Sequence, residues 1–172
     1  MKDFNWSAWS PTETAVLCFV VKGDSLLLIE KLRGLGAGKV NAPGGRLEPG
    51  ETPEEAAVRE LQEEVSVTPH DLMRVGNLRF AFVDGLRLEC WVFRAESHKG
   101  EPKESDEAIP FWNSVDDLPY ERMWVDDREW LPHLLEKRLF EGRFVFDGDT
   151  MLSGSVDLVE NFFANRPENF SA

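Results

Sequence analysis

Short apolar runs separated by polar turns dominate the first part of the chain. Ala15 to Val21 and Ser25 to Ile29 are two such runs, joined by Lys22-Gly23-Asp24, and this spacing predicts a hairpin of buried strands in a central sheet. Gly34, Gly36, Gly38, Gly44, Gly45 and Gly50, with Pro43 and Pro49, then crowd residues 32 to 50 more densely than a helix or strand interior tolerates. A long structured loop is expected there. Thr52-Pro53-Glu54-Glu55 combines an N-cap Thr, Pro at the first helical position and Glu at the third, a capping box that opens a helix over 53–65. Farther on, Leu78 to Val83 and Leu86 to Arg94 flank Asp84-Gly85 as a second hairpin with alternating aromatics. His98 to Asp106 reads as an exposed polar loop and Ile109 to Trp112 as a short strand. Trp130 to Phe140 has helical periodicity, with Pro132 tolerated near its first turn and Gly142 as its stop. Arg143 to Phe146 and Met151 to Leu158 predict a last strand pair around Asp147-Gly148-Asp149, and the tail beyond Asn165 reads as frayed.

Composition narrows the function classes. At 172 residues, one domain over 1–172 is expected, and 6 Trp with 12 Phe exclude a disordered chain. Asp and Glu number 32 against 19 Lys and Arg, for a formal net charge of -13. A broad basic face able to wrap a nucleic-acid polymer is therefore not expected. Cys18 and Cys90 lie far apart in apolar runs and read as buried thiols rather than a disulfide or metal pair. The N-terminus lacks the pattern of a signal peptide and no apolar run approaches a membrane span, so a reducing cytoplasm without membrane contact is the expected setting.

The acid is not spread evenly. Residues 46 to 64 hold seven acids and two Arg, which is -5 of the total. On the expected helix, Glu60, Glu63 and Glu64 fall within about 100° of arc with Arg59 at its margin, while Ala57, Val58, Leu61 and Val65 are assigned to the opposite face. The bland reading is a solvated acidic face. Carboxylates at i, i+3 and i+4 repel one another, however, and a divalent cation turns that repulsion into attraction. Oxygen-only donors suit Mg²⁺ or Mn²⁺ bridging carboxylates to substrate phosphates, and Gly44-Gly45-Arg46 brings backbone close to such a site because glycines lack a Cβ.

Gly45-x5-Glu51-x7-Arg59-Glu60-Leu61-Gln62-Glu63-Glu64-x-Ser66-Val67 resembles the Nudix box of nucleoside-diphosphate-linked hydrolases. Ser66 stands where that family usually has Gly. The resemblance implies an α/β/α sandwich with a central mixed sheet and a loop-helix-loop metal motif. It implies Glu60, Glu63 and Glu64 as metal carboxylates with Gly44 beside them, Glu64 as the residue that orients or deprotonates water, Glu63 in support, and Arg59 pairing with the carboxylates. Glu107 resembles a further metal or base residue.

Three segments, Lys31 to Asn41, Phe80-Ala81-Phe82 and Met123-Trp124-Val125-Asp126-Asp127, resemble the MutT-homologue oxidised purine nucleoside triphosphatases, with similarity from about Thr14 to Leu158. That resemblance implies a Mg²⁺-dependent pyrophosphohydrolase converting an oxidised purine nucleoside triphosphate, of the 8-oxo-dGTP or 2-hydroxy-dATP type, to monophosphate and pyrophosphate. It places Thr14, Lys31, Leu35, Asn41, Pro43, Gly44, Gly45 and Arg46 with Phe80, Phe82, Trp124, Val125, Asp126 and Asp127 around the substrate. Trp124 and Phe80 offer stacking faces, and Asn41 donates and accepts along a base edge. Asp126 and Asp127 either recognise a base, one protonated and one not, or simply begin the next helix. Leu35 and Val125 depart from the Phe and Pro common in that subfamily, which leaves canonical or methylated nucleotides and dinucleotide polyphosphates as alternatives. A non-catalytic nucleotide-binding module is the third reading, although such modules lose box carboxylates that are all present here.

Overall fold

The computed structural model describes residues 4–162, so the tail beyond Asn165 lies outside the described residues. β1 (Glu13–Lys22) and β2 (Ser25–Lys31) form the expected hairpin, closed by Gly23 in the left-handed region. β3 (Val40–Asn41) and β4 (Gly44–Arg46) lie within the glycine-rich stretch, α1 spans Pro53–Val65, and β5 (Thr68–Phe82) pairs with β6 (Arg87–Lys99). β7 (Ala108–Ser114), α2 (Asp127–Leu135), β8 (Phe140–Asp147) and β9 (Thr150–Leu158) complete the order. The sheet runs β3-β2-β1-β6-β5-β8-β9, with β4 added to β1 and β7 to β2. It is mixed: β1 and β6 run parallel, as do β5 and β8, and the other pairs are antiparallel.

Strand alternation divides the core between the two faces of this sheet. Val16, Cys18 and Val20 of β1 face Ala56, Ala57, Leu61 and Val65 of α1, whereas Phe19 and Val21 share the other core with Trp130, Leu131 and Leu134 of α2. One helix layer on each side gives the expected sandwich. Cys18 and Cys90 are buried free thiols, one in each core.

The second hairpin is longer than its apolar pattern. His70, Asp71 and Arg74 interrupt the alternation, yet the ladder continues through them with a bulge between Arg74 and Gly76, and it carries His98 and Lys99 into β6. The second helix corrects the expected span of Trp130 to Phe140. It begins at Asp127 and stops at Leu135, where the Arg94 guanidinium donates to the carbonyls of Leu134 and Leu135 at 3.2 and 3.1 Å and Lys137 turns left-handed at φ 57. Pro132 therefore sits inside the helix rather than in its first turn. Gly142 is a strand residue and not a stop: a Cβ there would lie 2.7 Å from both Leu78 Cδ2 and the Phe144 ring.

Candidate active site

Helix α1 is set by its capping box, with Thr52 accepting from the Glu55 N–H and the Glu55 carboxylate accepting from the Thr52 N–H. Its carboxylates are not on a face opposite the apolar stripe. Glu60 and Glu64 are only 9% and 5% exposed and lie in the same buried band as Ala57, Leu61 and Val65, while Glu63 is exposed and Val58 only half-buried. Ala57, Glu60, Leu61 and Glu64 are spaced three and four apart, so they form one stripe. The acids therefore press against β4. A Cβ on Gly45 would meet Glu60 Oε1 at 2.3 Å, and one on Gly44 would meet the Val16 carbonyl oxygen at 2.0 Å. Only glycine permits that approach.

Arg59 organises this end. Its guanidinium donates to both Glu51 carboxylate oxygens at 2.6 and 2.9 Å, to Glu60 at 2.9 Å, to Glu63 at 3.3 Å and to the Arg46 carbonyl at 3.0 Å. The hydrogen bonds from Arg59 hold the Glu51 carboxyl down at about 2. Burial pushes Glu60 up against the opposing pull of Arg59, and pushes Glu64 up to about 7 despite the Gly44 N–H that donates to Glu64 Oε2 at 3.2 Å. Glu107 borders the same cavity and pairs with Arg33 at 2.7 Å.

This acidic corner opens into a cavity of about 670 Å³ whose far end is aromatic. Phe80, Phe82 and Phe146 pack together with ring centroids 5.7 to 6.4 Å apart, and Trp124 meets Phe82 and Phe146 edge-on. Asn41 Oδ1 accepts the Ala42 N–H at 2.8 Å, so its amide NH₂ remains to donate into the cavity it lines. Asp126 and Asp127 open α2 and also line the cavity, at 1% and 2% exposure. Asp126 Oδ2 accepts the Trp130 indole N–H at 2.9 Å, while Asp126 Oδ1 and Asp127 Oδ2 have no hydrogen-bond partner among the described residues. Burial raises both carboxyls, and the neighbouring Asp126 raises Asp127 further.

Most of the expected substrate and metal residues meet at this cavity, including Lys31, Leu35, Arg46 and Glu63. Thr14, Pro43 and Val125 do not line it; Thr14 borders a separate shallow groove with Arg46 and Leu47. Sequence reasoning missed Glu13, Leu88, Cys90 and Phe146. Period-two alternation carries part of that signal, since Leu88 and Cys90 of β6 and Glu13, Ala15 and Leu17 of β1 line the cavity at alternate positions, with Val16 of β1 beside them.

Among the described residues no three His, Cys, Asp or Glu side chains converge into a ready-made metal sphere, and Arg59 bridges Glu60 and Glu63. The donor chemistry nevertheless fits a hard divalent cation: the carboxylates edging the cavity are oxygen-only, and two of them are buried with their charge incompletely compensated. Among the described residues, no helix is long and apolar enough to cross a membrane.

The chain is similar in sequence and fold to known proteins. An oxidized purine nucleoside triphosphate hydrolase of Danio rerio is 44% identical over 147 residues, covering 84% of this chain and 94% of that protein. Its namesake in Mus musculus is 40% identical over 155 residues, covering 89% and 99%. The crystal structure of a MutT protein from Bacillus halodurans superposes with a TM-score of 0.76 at 31% identity, covering 84% of this chain and 97% of that one. The NUDIX domain model matches residues 11–134, which contain the cavity's acidic corner and most of its aromatic end. On sequence and fold together, the chain belongs to the Nudix hydrolase family.

Proposed function

We propose that the protein hydrolyses an oxidised purine nucleoside triphosphate to its monophosphate and pyrophosphate with the help of a divalent cation, Mg²⁺ or Mn²⁺. The observation that carries this reading is the single cavity with a carboxylate corner at one end and two buried, incompletely paired aspartates among aromatic rings at the other. Glu60, Glu63 and Glu64, with the Gly44 carbonyl and Glu107, would hold the cation. When bound, it neutralises phosphate charge and activates water.

The protein's own groups supply the rest. Arg59 keeps Glu60 and Glu63 apart from solvent-driven rearrangement, itself anchored by Glu51. Glu64, with Oε2 engaged by the Gly44 N–H, keeps Oε1 to take the proton of the attacking water. Lys31 and Arg46 line the cavity as cations for the phosphates. At the other end Trp124 stacks on the base, the Asn41 amide donates to an acceptor on its edge, and the protonated member of the Asp126–Asp127 pair donates while its neighbour accepts. An oxidised purine, in which N7 is a donor beside an 8-oxo acceptor, matches that pattern.

Leu35, 43% exposed where an aromatic wall would enclose the base, favours a second reading in which canonical or methylated purine nucleotides are substrates. One panel separates the two: kcat/KM for 8-oxo-dGTP, 2-hydroxy-dATP, dGTP, dATP and diadenosine tetraphosphate under one Mg²⁺ condition. An oxidised purine is expected to lead, with Glu64→Gln losing about a hundredfold or more of the turnover. Equal values for 8-oxo-dGTP and dGTP would remove the oxidised-purine reading, and turnover by Glu64→Gln at the unmodified level would remove Glu64 as the base.

A further inference from the structure

Lys39, which leads the 32–39 loop back to β3, is not among the residues lining the cavity. Its Nζ lies 5.1 Å from the centroid of the Trp124 ring and 3.2 Å from Asp149 Oδ2 in the turn between β8 and β9. The lysine side chain is 25% exposed, so it is largely packed rather than free in solvent. Its backbone is tied as well: the Lys31 N–H donates to the Lys39 carbonyl at 2.9 Å and the Lys39 N–H to the Gly36 carbonyl at 3.0 Å.

Trp124 is gripped from other directions by the same loop and by β5 and β8. Gly36 has φ +81, and a Cβ there would lie 2.8 Å from Trp124 Nε1. Phe82 and Phe146 meet the indole edge-on at 6.5 and 5.5 Å. Three segments distant in sequence therefore converge on one ring, and Lys39 is the charged link that joins the loop, the ring and the β8–β9 turn. A surface ion pair alone would do little for position. Joined to a cation over an indole face, it restrains the ring against the loop that forms the facing wall.

We infer that Lys39 and Asp149 form a latch that fixes the position of Trp124, and with it the width of the base end of the cavity, so that Lys39 is a positioning residue for nucleotide specificity. The inference rests on the base-stacking role proposed above for Trp124.

The test uses Lys39→Met, Lys39→Arg, Asp149→Asn, Trp124→Ala and the Lys39→Met/Trp124→Ala double variant. Steady-state kinetics with the leading substrate is paired with calorimetric binding of 8-oxo-dGMP and dGMP. Lys39→Met is expected to raise KM by about three- to tenfold, more than it lowers kcat, and to weaken monophosphate binding in parallel. Lys39→Arg retains both contacts and stays within about twofold of the unmodified protein, while Asp149→Asn gives an intermediate rise. In the Trp124→Ala background, Lys39→Met adds nothing, because its partner is gone. An unchanged KM and Kd in Lys39→Met, or a Lys39→Met effect undiminished in the Trp124→Ala background, would overturn the latch. A wild-type protein that favours dGTP would defeat the oxidised-purine reading alone, since the two-residue cycle on dGMP still decides the role of Lys39.

Discussion

The carboxyl of Asp127 sits where ionisation is expensive, buried at the start of α2 with one oxygen unpaired and Asp126 beside it. Its folded-state pKa lies above the ordinary value, so the native state gives up part of its stability as pH rises from the usual carboxylate range through that raised pKa. Asp127→Asn removes the titration. The metal-free variant is expected to melt higher than the unmodified protein at pH 8 and to differ less at pH 5, as read by thermal unfolding at both values. A difference that is the same at both would mean that the pair is already neutral or is hydrated when ionised. At this scale the sequence was informative about chemistry but not about environment. Two adjacent aspartates before a helix were visible, whereas their burial depends on Trp130 and on strands some 40 residues earlier. For Glu60 and Glu64 the signal was local: their separation from Ala57 and Leu61 onto an opposite face failed because spacings of three and four residues put all four in one stripe.

Among elements, α1 was the most legible, since Thr52, Pro53 and Glu55 state its start in local chemistry alone. Its end carries a flaw that the sequence also revealed. Ser66 adopts φ 61 and ψ 30, the left-handed conformation that costs a side-chain-bearing residue about 1 kcal/mol or more. Ser66→Gly is expected to raise unfolding stability by about 0.5–1 kcal/mol with no change in KM, measured by urea denaturation. A loss of stability would show that the serine hydroxyl earns its place there. The end of α2 was not legible, because what stops it is Arg94 from a neighbouring strand, not a residue of the helix. The strand lengths of β5 and β6 were hidden likewise, since ladder partners supply what the alternation of their own residues lacks.

For the whole molecule, strand order was beyond reading from local pattern: the parallel pairing of β1 with β6 joins residues more than 70 positions apart. Acid, part of a net charge of -13, is concentrated where α1 meets β4, at a corner where Arg59 and Arg33 pair with the carboxylates. Mg²⁺ is therefore expected to stabilise the folded chain by about 2.7 kcal/mol when present at a hundred times its Kd, a rise in Tm of roughly 5–10 °C. Differential scanning calorimetry with and without Mg²⁺ measures it, and Glu60→Gln should lose most of the gain. A melting temperature indifferent to millimolar Mg²⁺ would argue that these carboxylates hold no cation.

The two ends of the cavity draw on different elements, α1 with β4 for the carboxylates and the α2 start with β5 and β8 for the rings, and β1 runs beneath both. Such a division lets evolution, or a protein engineer, exchange one end without rebuilding the other. If the proposed division of roles holds, substitutions at Leu35, Leu88 or Trp124, which line the ring-bearing end, redirect which nucleotide enters while the carboxylate end is inherited unchanged, so new specificities lie single steps away.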